Sequence, residues 1–416
     1  MSETPLVTVE SPVAARRFWP GVLREPGLRR FVTSTLVWGS AHQMLTLSQG
    51  FLVFDLTQSE AYLALLGAAV GLPALLLAAA GGFLADRLPQ QRILLAGSLI
   101  AGIPMAAIAA LHATGTLEAW HVLAAGLAQG TSLGLDWTSR LSLLPRMVSR
   151  PRLVQAVSVD LAGFQAVRVI APLASGALLD TAGTPAVYAL IAGLFAVNVL
   201  VVASFRPAAR GARTPAPVAQ DAREVLALLR RDGVLGMNVL FTGVNALMLG
   251  GFVYLAPAFV SQQLGGGSGS LGVVLTLVGV GAFTGSSLVA LRGGVRNAGA
   301  GLVVSNLLFA GSAAAYAFTG SLWSAAPVAV LFGTFNAVHM SLGAAAIQTA
   351  VPDEVRGRVF GAYEVAWSAF PLGGLFFGLL ASAAGLSWAY VAGAAMVSAF
   401  TVAAWALSSG IRGLRL

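Results

Sequence analysis

Only a few side chains in this sequence can exchange protons or pair with ions, and most of them occur inside long apolar segments. They are His42, Asp136, Arg140, Asp160, Arg168, His339 and Glu364. Ionisable groups are expensive inside a membrane and are functional candidates there by default. A second group, Asp86, Arg87 and Arg92, occupies the stretch GGFLADRLPQQRIL between two apolar runs. What these groups can do depends on the elements that position them.

The composition indicates that those elements lie in a lipid bilayer. Of the 416 residues, 57% are hydrophobic and 10% are charged, whereas soluble domains have about 25% charged residues. The mean hydropathy is +0.82. Apolar runs of about 20 residues span a membrane as helices, and a transmembrane β-barrel would need alternating polar and apolar residues instead. We therefore predict an all-α integral membrane protein.

Two missing residue types exclude several kinds of chemistry. The chain has no cysteine, which excludes disulfides, thiolate metal sites and cysteine nucleophiles. It has no lysine either, so the phosphate-binding loop of ATPases is excluded. No cluster of acids or histidines indicates a metal, and no soluble basic domain indicates nucleic acid. We expect no cofactor, no metal, no nucleic-acid partner and no enzymatic activity.

Hydropathy predicts twelve spans in two halves. They lie near 31–54, 61–85, 93–113, 119–143, 154–179, 184–205, 233–257, 269–290, 298–318, 322–349, 359–382 and 387–408. The predicted domains are an N-terminal segment 1–30, a six-helix bundle 31–205, a central loop 206–232, a second six-helix bundle 233–408 and a tail 409–416. We expect no cleavable signal peptide, because the first apolar run continues as a full span.

The arginines predict the orientation. With twelve spans, 22 of the 24 arginines fall in segments on one side and none in the loops on the other. The positive-inside rule then predicts that both termini are cytoplasmic, in the inner membrane of a bacterium. Arg140 and Arg168 are the two that fall inside spans. The glycine-rich segment Gln262–Gly272 is expected outside the cell.

The two halves are related in sequence. LLPRMVSRPRLVQAVSVD, which ends at Asp160, resembles TAVPDEVRGRVFGAYE, which ends at Glu364, and these two acids lie 204 positions apart. Each segment leads from the end of one span, through a turn with arginines, into the next span. Two repeated six-span halves that enclose a site at the midplane are a plan of secondary transporters.

The stretch GGFLADRLPQQR resembles the loop between spans 2 and 3 of the major facilitator superfamily, whose pattern is Gly-x-Leu-Ala-Asp-Arg-x-Gly-Arg-x-Arg. Asp86, Arg87 and Arg92 match it, whereas Pro89 replaces the second glycine. FLVFDLTQSE, LLPRMVSRPRLVQAVSV and VPDEVRGRVFGAYE are similar to the enterobactin-exporter-like and macrolide-efflux branch. VRVIAPLASGALL resembles the Gly-Pro-x-x-Gly-Gly element of drug/proton antiporters at Pro172 and Gly176. The resemblance implies the major facilitator fold, with twelve helices in two pseudo-symmetric bundles.

The acids and arginines nearest the cytoplasm are candidates for a gate. They are Asp86, Arg87, Arg92, Asp136, Arg140 and Glu364. A carboxylate at a helix end can cap a neighbouring helix or bind an arginine. Asp136 precedes Arg140 by four residues, the favourable order for an ion pair, and Glu364 lies at a similar depth, about 10 Å from the helix end. The alternative, a positive-inside anchor, accounts for the arginines but not for Asp86.

Five further residues are candidates for a substrate or proton cavity: His42, Asp160, Arg168, Asn245 and His339. Arg168 lies about 20 Å from the cytoplasmic end of its span, so it must face the cavity or an acid on another span. The histidines fall near the midplane, one in each half, and histidine exchanges protons near neutral pH. The alternative for the histidines and Asn245 is an ordinary polar contact between helices.

Together with the resemblance, these features predict a secondary active transporter. We expect it to export an amphipathic small molecule, such as a drug, a macrolide-like compound or a siderophore, by alternating access in exchange for protons, with sodium as the alternative ion. Two other functions stay open: a proton-coupled importer of a small nutrient, and a non-transporting sensor or assembly protein with the same fold. The expected partners are the substrate, protons and the lipid bilayer, and the expected state is a monomer.

Overall fold

The computed structural model describes residues 25–149, 152–207, 233–292, 297–350 and 353–414, with positions 227 and 229. All regular structure in these ranges is helical. The helices are α1 (Pro26–Thr57), α2 (Glu60–Arg87), α3 (Gln90–Ala113), α4 (Ala119–Met147), α5 (Leu153–Ala203), α6 (Gly233–Gln262), α7 (Ser268–Arg292), α8 (Ala298–Tyr316), α9 (Leu322–Ala350), α10 (Asp353–Trp367), α11 (Leu372–Ala384), α12 (Leu386–Leu407) and α13 (Ser409–Arg412). Most of the predicted N-terminal segment and of the central loop lies outside the described residues.

Nine helical stretches in the described part of the chain are long and apolar enough to cross a membrane. Large apolar side chains on the outer surface are exposed, for example Leu76 at 68% and Leu200 at 71%. A bilayer covers such a surface, whereas water would not. The prediction of an all-α membrane protein is confirmed, and the count of twelve spans stays a prediction.

The 51-residue helix α5 consists of two rods that meet at Gly183. This glycine has φ 78° and ψ 174°, a conformation outside the helical region that glycine adopts without a steric penalty. Both ends of α5 lie beside the start of α1: Arg152 forms a salt bridge of 3.7 Å with Glu25, and Arg30 donates to the carbonyl of Ser204 at 3.0 Å. The chain therefore reverses direction at Gly183.

The same device recurs in the second half of the chain. Gly385, between α11 and α12, has φ 92° and ψ 158°, and it lies about as far beyond Gly183 as Glu364 lies beyond Asp160. Polar contacts recur as well: one joins α3 to the second rod of α5 in the first half, and the other joins α8 to α12 in the second half. The first runs from Asn198 Nδ2 to Ser98 Oγ at 2.8 Å, and the second from Asn306 Nδ2 to Thr401 Oγ1 at 2.7 Å. The structure thus repeats its local contacts between the halves.

Each half buries its own helix contacts, and the two halves then meet along two helix pairs. Within the first half α1 and α3 pack on α5, and α2 packs on α4. Within the second half α9 packs on α7 and α8, and α8 packs on α12. Between the halves, α2 packs on α11 and the first rod of α5 packs on α7.

One end of the bundle, which we call the proximal end, carries residue 25 and the C-terminal end of α12; the opposite end is the distal end. Glycines let the halves touch at the distal end. A Cβ on Gly67 would lie 2.8 Å from the Pro371 carbonyl oxygen, and one on Gly176 would lie 2.5 Å from the Ser268 carbonyl oxygen. Both approaches are closer than a side chain permits. We call these α2–α11 and α5–α7 contacts the distal interface.

The halves separate toward the proximal end along α5. Leu161, Gln165, Arg168, Pro172 and Gly176 follow one another at spacings of three or four residues and so form one stripe of this helix. Pro172 and Gly176, nearer the distal end, are buried against α7, whereas Leu161 is 53% exposed. The bundle is therefore closed distally and open proximally along this pair of helices.

Candidate functional site

Half-buried aromatic side chains from both halves lie around one hydrogen bond between the halves. Trp137 Nε1 of α4 donates to Glu364 Oε2 of α10 at 2.7 Å. The Trp137 ring lies 5.6 Å from that of Phe164, and one turn beyond Glu364 the rings of Trp367 and Phe370 stack at 6.2 Å. None of these five side chains is fully buried. The site therefore combines aromatic surface, a carboxylate and a contact that joins the two halves.

A second group of polar residues lies beside these aromatic side chains and is buried. Asp136 is 0% exposed and Arg140 is 5% exposed. The expected salt bridge between them is not formed: the guanidinium carbon of Arg140 lies 4.6 Å from the Trp38 ring centre, and Nη1 donates to Thr35 Oγ1 at 3.4 Å. Asp160 of α5 also lies close enough to attract Arg140. Two carboxyl groups therefore lie near one guanidinium, which can balance only one of them if both are ionised.

The two candidate histidines are buried in helix contacts. His42 Nδ1 lies 3.1 Å from the Trp38 carbonyl oxygen, and His339 Nδ1 lies 3.0 Å from that of Leu302. A carbonyl oxygen only accepts, so Nδ1 of each ring carries the hydrogen. Each ring also packs edge-on against a phenylalanine, Phe195 for His42 and Phe241 for His339. The His339 bond joins two helices, as the alternative to a cavity role expected, whereas the His42 bond stays within α1 and leaves the buried His42 Nε2 without a partner among the described residues.

Asn245 is fully buried, and neither its Oδ1 nor its Nδ2 has a hydrogen-bond partner among the described residues. Its neighbour on the same face, Asn238, instead donates to the Gly343 carbonyl oxygen at 2.7 Å. Buried amides nearly always have a partner, so Asn245 has unused capacity for a hydrogen bond. It stays a candidate for the cavity.

The residues of the antiporter element lie at the contact between the halves. Pro172 and Gly176 face α7, where a Cβ on Gly272 would lie 2.8 Å from the Pro172 carbonyl oxygen. Arg168 precedes Pro172 by one turn and is half-buried; its Nη1 donates to Gln165 Oε1 at 3.3 Å. The element thus joins the closed distal part of the α5–α7 contact to its open proximal part.

The proposed cytoplasmic gate is only partly within the described residues. The side chains of Asp86 and Arg87, at the end of α2, lie outside them, and Arg92 is exposed near the start of α3. The gate therefore stays a prediction. No three His, Asp or Glu side chains of the described part are arranged to hold a metal ion.

Sequence reasoning missed the polar contacts at the distal end. Asp180, near the distal end of the first rod of α5, accepts hydrogen bonds from the Ser268 hydroxyl and, at 3.0 Å, from the Gly269 backbone N–H. It thereby caps the first turn of α7 from the other half. Gln262 Nε2 donates to Glu60 Oε1 at 2.9 Å, also between halves. An acid at the end of one span and a Ser-Gly start of another were the signal available in the sequence.

Known proteins resemble the chain along most of its length. A family model described as "Transmembrane secretion effector" matches residues 22–410. A protein named "Enterobactin exporter EntS" from Salmonella typhi is 26% identical over 292 residues, which are 68% of this chain and 67% of that protein. The protein of the same name from Escherichia coli O139:H28 is 27% identical over 292 residues, with the same coverage of each chain.

The fold also matches solved transporters. A bacterial homolog of the human lysosomal transporter Spinster, in an inward-facing and unoccupied conformation, superposes with a TM-score of 0.73 at 15% identity, covering 94% of this chain and 99% of that one. A D-xylose-proton symporter gives the same TM-score and coverage at 14% identity. At these identities the likeness shows the fold alone. With the family model spanning nearly the whole chain, this protein belongs to the transmembrane secretion effectors, a family of major facilitator transporters, which are not enzymes.

Proposed function

We propose that this protein exports an amphipathic small molecule across the inner membrane of a bacterium, by alternating access and in exchange for protons. The observation that supports the proposal most directly is the asymmetry of the contact between the halves. The halves touch at the distal interface and part proximally, with the Trp137–Glu364 bond and aromatic surface between them. A binding site accessible from one side at a time is what alternating access requires.

The orientation follows from the arginines under this proposal. Arg30, Arg152 and Arg412 of the described residues lie at the proximal end, so the positive-inside rule makes that end cytoplasmic. The structure then represents the inward-open state, which receives substrate from the cytoplasm. The distal interface is the barrier that must open to release it outside.

Export rather than import is supported by the relatives that are named as enterobactin exporters. They also favour a siderophore, or a compound of similar size and aromatic character, among the substrates first predicted. The fold does not decide direction, because a proton symporter has it too.

Proton coupling is supported by Asp136, Asp160 and Arg140, the ionisable groups beside the aromatic side chains of the site. If both were ionised, Asp136 and Asp160 would carry one negative charge more than Arg140 balances. An unbalanced charge is expensive in an apolar interior, and one bound proton would remove it. Because Asp160 lies on the α5 rod that also contacts the other half, a movement of that rod would alter its distance to Arg140.

Everted membrane vesicles test this proposal. The panel of test compounds is enterobactin, erythromycin and ethidium. The cytoplasmic face of everted vesicles is outward, so we expect uptake of at least one of these compounds when the vesicle interior is made more acidic than the outside. A protonophore should abolish the uptake, and vesicles from a strain that lacks the gene should show none. If uptake follows an imposed sodium gradient instead, the coupling ion is wrong. If deletion lowers rather than raises the cellular content of the transported compound, the protein is an importer.

A further inference from the structure

Arg168 faces the interior of the bundle rather than lipid. On α5, Phe164 and Ser175 contact α1, whereas Pro172 contacts α7. Arg168 lies between these two faces on the stripe described above. The lipid-facing positions of this part of α5 are on the other side, as the exposure of Ala166, Ile170 and Leu173 shows. Arg168 therefore points between α1 and α7, where the closed and open parts of the contact meet.

Its guanidinium has hydrogen-bonding capacity to spare. The single hydrogen bond that it makes to a described residue goes to the neutral amide of Gln165, and no carboxylate of the described part lies close enough to balance its charge. Its other nitrogens are not among the buried atoms without a partner, so they keep accessible surface. Arg140 differs, because its Nε and Nη2 are buried completely. Arg168 thus presents free N–H groups to open space.

A group of aromatic rings begins one helical turn from Arg168. Phe164 is one turn from Arg168 on α5 and contacts Trp137. Trp137 in turn donates a hydrogen bond to Glu364 of the other half, and Trp367 follows Glu364 by one helical turn. The rings are half-buried, so part of each is available to a bound molecule. Aromatic ring surface and the positive charge of Arg168 therefore occur in the same region between the two halves.

A guanidinium binds a carboxylate through two parallel hydrogen bonds, and it does so more strongly where water is partly excluded. Aromatic rings favour offset or edge-on contact with another ring. A cation would be repelled by Arg168, and a neutral ring would leave its charge unbalanced. Taking the proposed transport function as given, we propose that the substrate is an aromatic organic anion, whose acidic group binds Arg168 and whose ring packs against Trp137 and Phe164.

Three ring compounds of equal size test this proposal: 4-nitrobenzoate, 4-nitrobenzyl alcohol and 4-nitrobenzylamine. The nitro group quenches tryptophan fluorescence, so titration of the purified full-length protein gives a Kd for each. We expect the unaltered protein to bind the acid at least tenfold more tightly than the alcohol or the amine. Arg168→Gln should weaken binding of the acid at least tenfold and change that of the alcohol less than twofold. Arg292→Gln, at an exposed arginine at the end of α7, should change none of the three.

A second variant covers the case in which Arg168→Gln fails to fold. Gln165→Glu keeps Arg168 but gives it an acidic neighbour in place of its amide partner, so it should also weaken binding of the acid selectively. The proposal is overturned if the unaltered protein binds the acid no more tightly than the alcohol. It is equally overturned if the variants weaken all three compounds to the same extent.

Transport is measured separately, so that the two proposals can fail independently. If vesicles carry neutral or cationic compounds under a proton gradient while the acid binds weakly, the function stands and the substrate class is wrong. If the acid binds through Arg168 but neither the acid nor any compound of the panel crosses the membrane, the substrate class stands and the export function is wrong.

Discussion

Arg140 and Arg168 have the same side chain in opposite surroundings. Arg140 stacks on Trp38, is buried, and faces Asp136 and Asp160. Arg168 has a neutral partner and accessible nitrogens. The charge of Arg140 is therefore balanced by groups of the protein, whereas the charge of Arg168 is available to a ligand. We therefore expect substitutions of Arg140 to affect stability first and substitutions of Arg168 to affect binding first.

Arg140→Ala should lower the free energy of unfolding by about 3–5 kcal/mol, because it leaves the buried Asp136 and the half-buried Asp160 without a counterion. Titration of the purified protein with denaturant, followed by tryptophan fluorescence, measures the change. The double variant Arg140→Met with Asp136→Asn should recover part of the loss, because it removes one of the carboxylates as well. A single variant as stable as the exposed Arg292→Ala would contradict the role assigned to Arg140.

Glu364→Gln keeps an oxygen that accepts from Trp137 but removes the charge, whereas Trp137→Phe keeps a ring and removes the donor. Glu364 is a second candidate to carry the proton, besides Asp136 and Asp160, because its carboxylate joins the two halves. We therefore expect Glu364→Gln to abolish the response of transport to a pH gradient. Trp137→Phe should slow transport about tenfold, the equivalent of one hydrogen bond to a charged group, and keep the response. Both are measured in vesicles with an imposed gradient.

The chain offers a matched control. Trp120 Nε1 donates to Glu118 Oε2 at 2.9 Å in an exposed pair at the distal end, away from the centre. Glu118→Gln should leave rate and gradient response unchanged. A gradient response of Glu364→Gln equal to that of the unaltered protein would exclude Glu364 from coupling.

At the scale of the helices, the contacts between the halves depend on where side chains are missing. Gly67 of α2 lies against backbone atoms of Pro371 and Leu375, and a turn at 368–371 separates α10 from α11 at this level. The turn presents peptide groups, rather than side chains, to α2. Close backbone approach of this kind needs glycine on the facing helix.

Gly67→Ala should therefore destabilise the closed distal interface, because the new Cβ would lie 2.7 Å from the Leu375 nitrogen. We expect the variant to shift the population toward the state that is open distally, seen as faster labelling of a cysteine introduced at position 271, which is buried near the distal end of α7. Gly193→Ala is the control, since a Cβ there meets nothing within 4 Å. Equal labelling of the two variants would show that the α2–α11 contact does not hold the distal end closed.

The sequence predicts most of the helices because their apolar runs are long and bounded by Gly, Pro and charged residues. The turn at 368–371 was not predicted, since the run 359–382 is apolar apart from Glu364 and hydropathy alone does not detect a break inside it; Pro371 was the signal available in the sequence. The Asp136–Arg140 pair was predicted from spacing, but Trp38 on another helix takes the guanidinium instead. Glu364 was identified from its depth, whereas its partner Trp137 depends on how the halves dock, which spacing within one helix cannot give.

At the scale of the whole molecule, closure and opening occur at opposite ends of the α5–α7 helix pair. The absence of cysteine makes this testable, because cysteine pairs can be introduced into an otherwise natural sequence. Glu60 and Gln262 are joined at the distal end. Leu161 of α5 and Ser286 of α7 lie toward the proximal end, equally far along their helices from Arg168 and Gly279, whose backbones touch.

The pair Glu60→Cys with Gln262→Cys should form a disulfide rapidly without substrate, and the disulfide should stop transport. The pair Leu161→Cys with Ser286→Cys should react at least tenfold more slowly in the same state. Gel mobility before and after reduction measures both. Proximal crosslinking as fast as distal crosslinking would contradict the inward-open assignment.

Exchange of an organic anion moving out for a proton moving in would carry net positive charge inward in each cycle. The membrane potential contributes about 2.3 kcal/mol per elementary charge for each 100 mV. We therefore expect a potassium diffusion potential, negative on the cytoplasmic side, to accelerate export of 4-nitrobenzoate from right-side-out vesicles in the absence of a pH gradient. A rate independent of the potential would require electroneutral exchange.

The distal interface is made of main-chain surface, and its rim is made of Asp180 and Glu60 with their hydrogen-bond partners. The two regions should tolerate replacement by different rules. Positions 67, 176 and 374 should reject residues in proportion to their volume, whether polar or apolar, whereas positions 60 and 180 should accept bulk but not the loss of an oxygen acceptor. We expect saturation libraries under antibiotic or metal-starvation selection to show that side-chain volume limits the interior positions. At the rim positions, the need for a hydrogen-bond acceptor should be the limit.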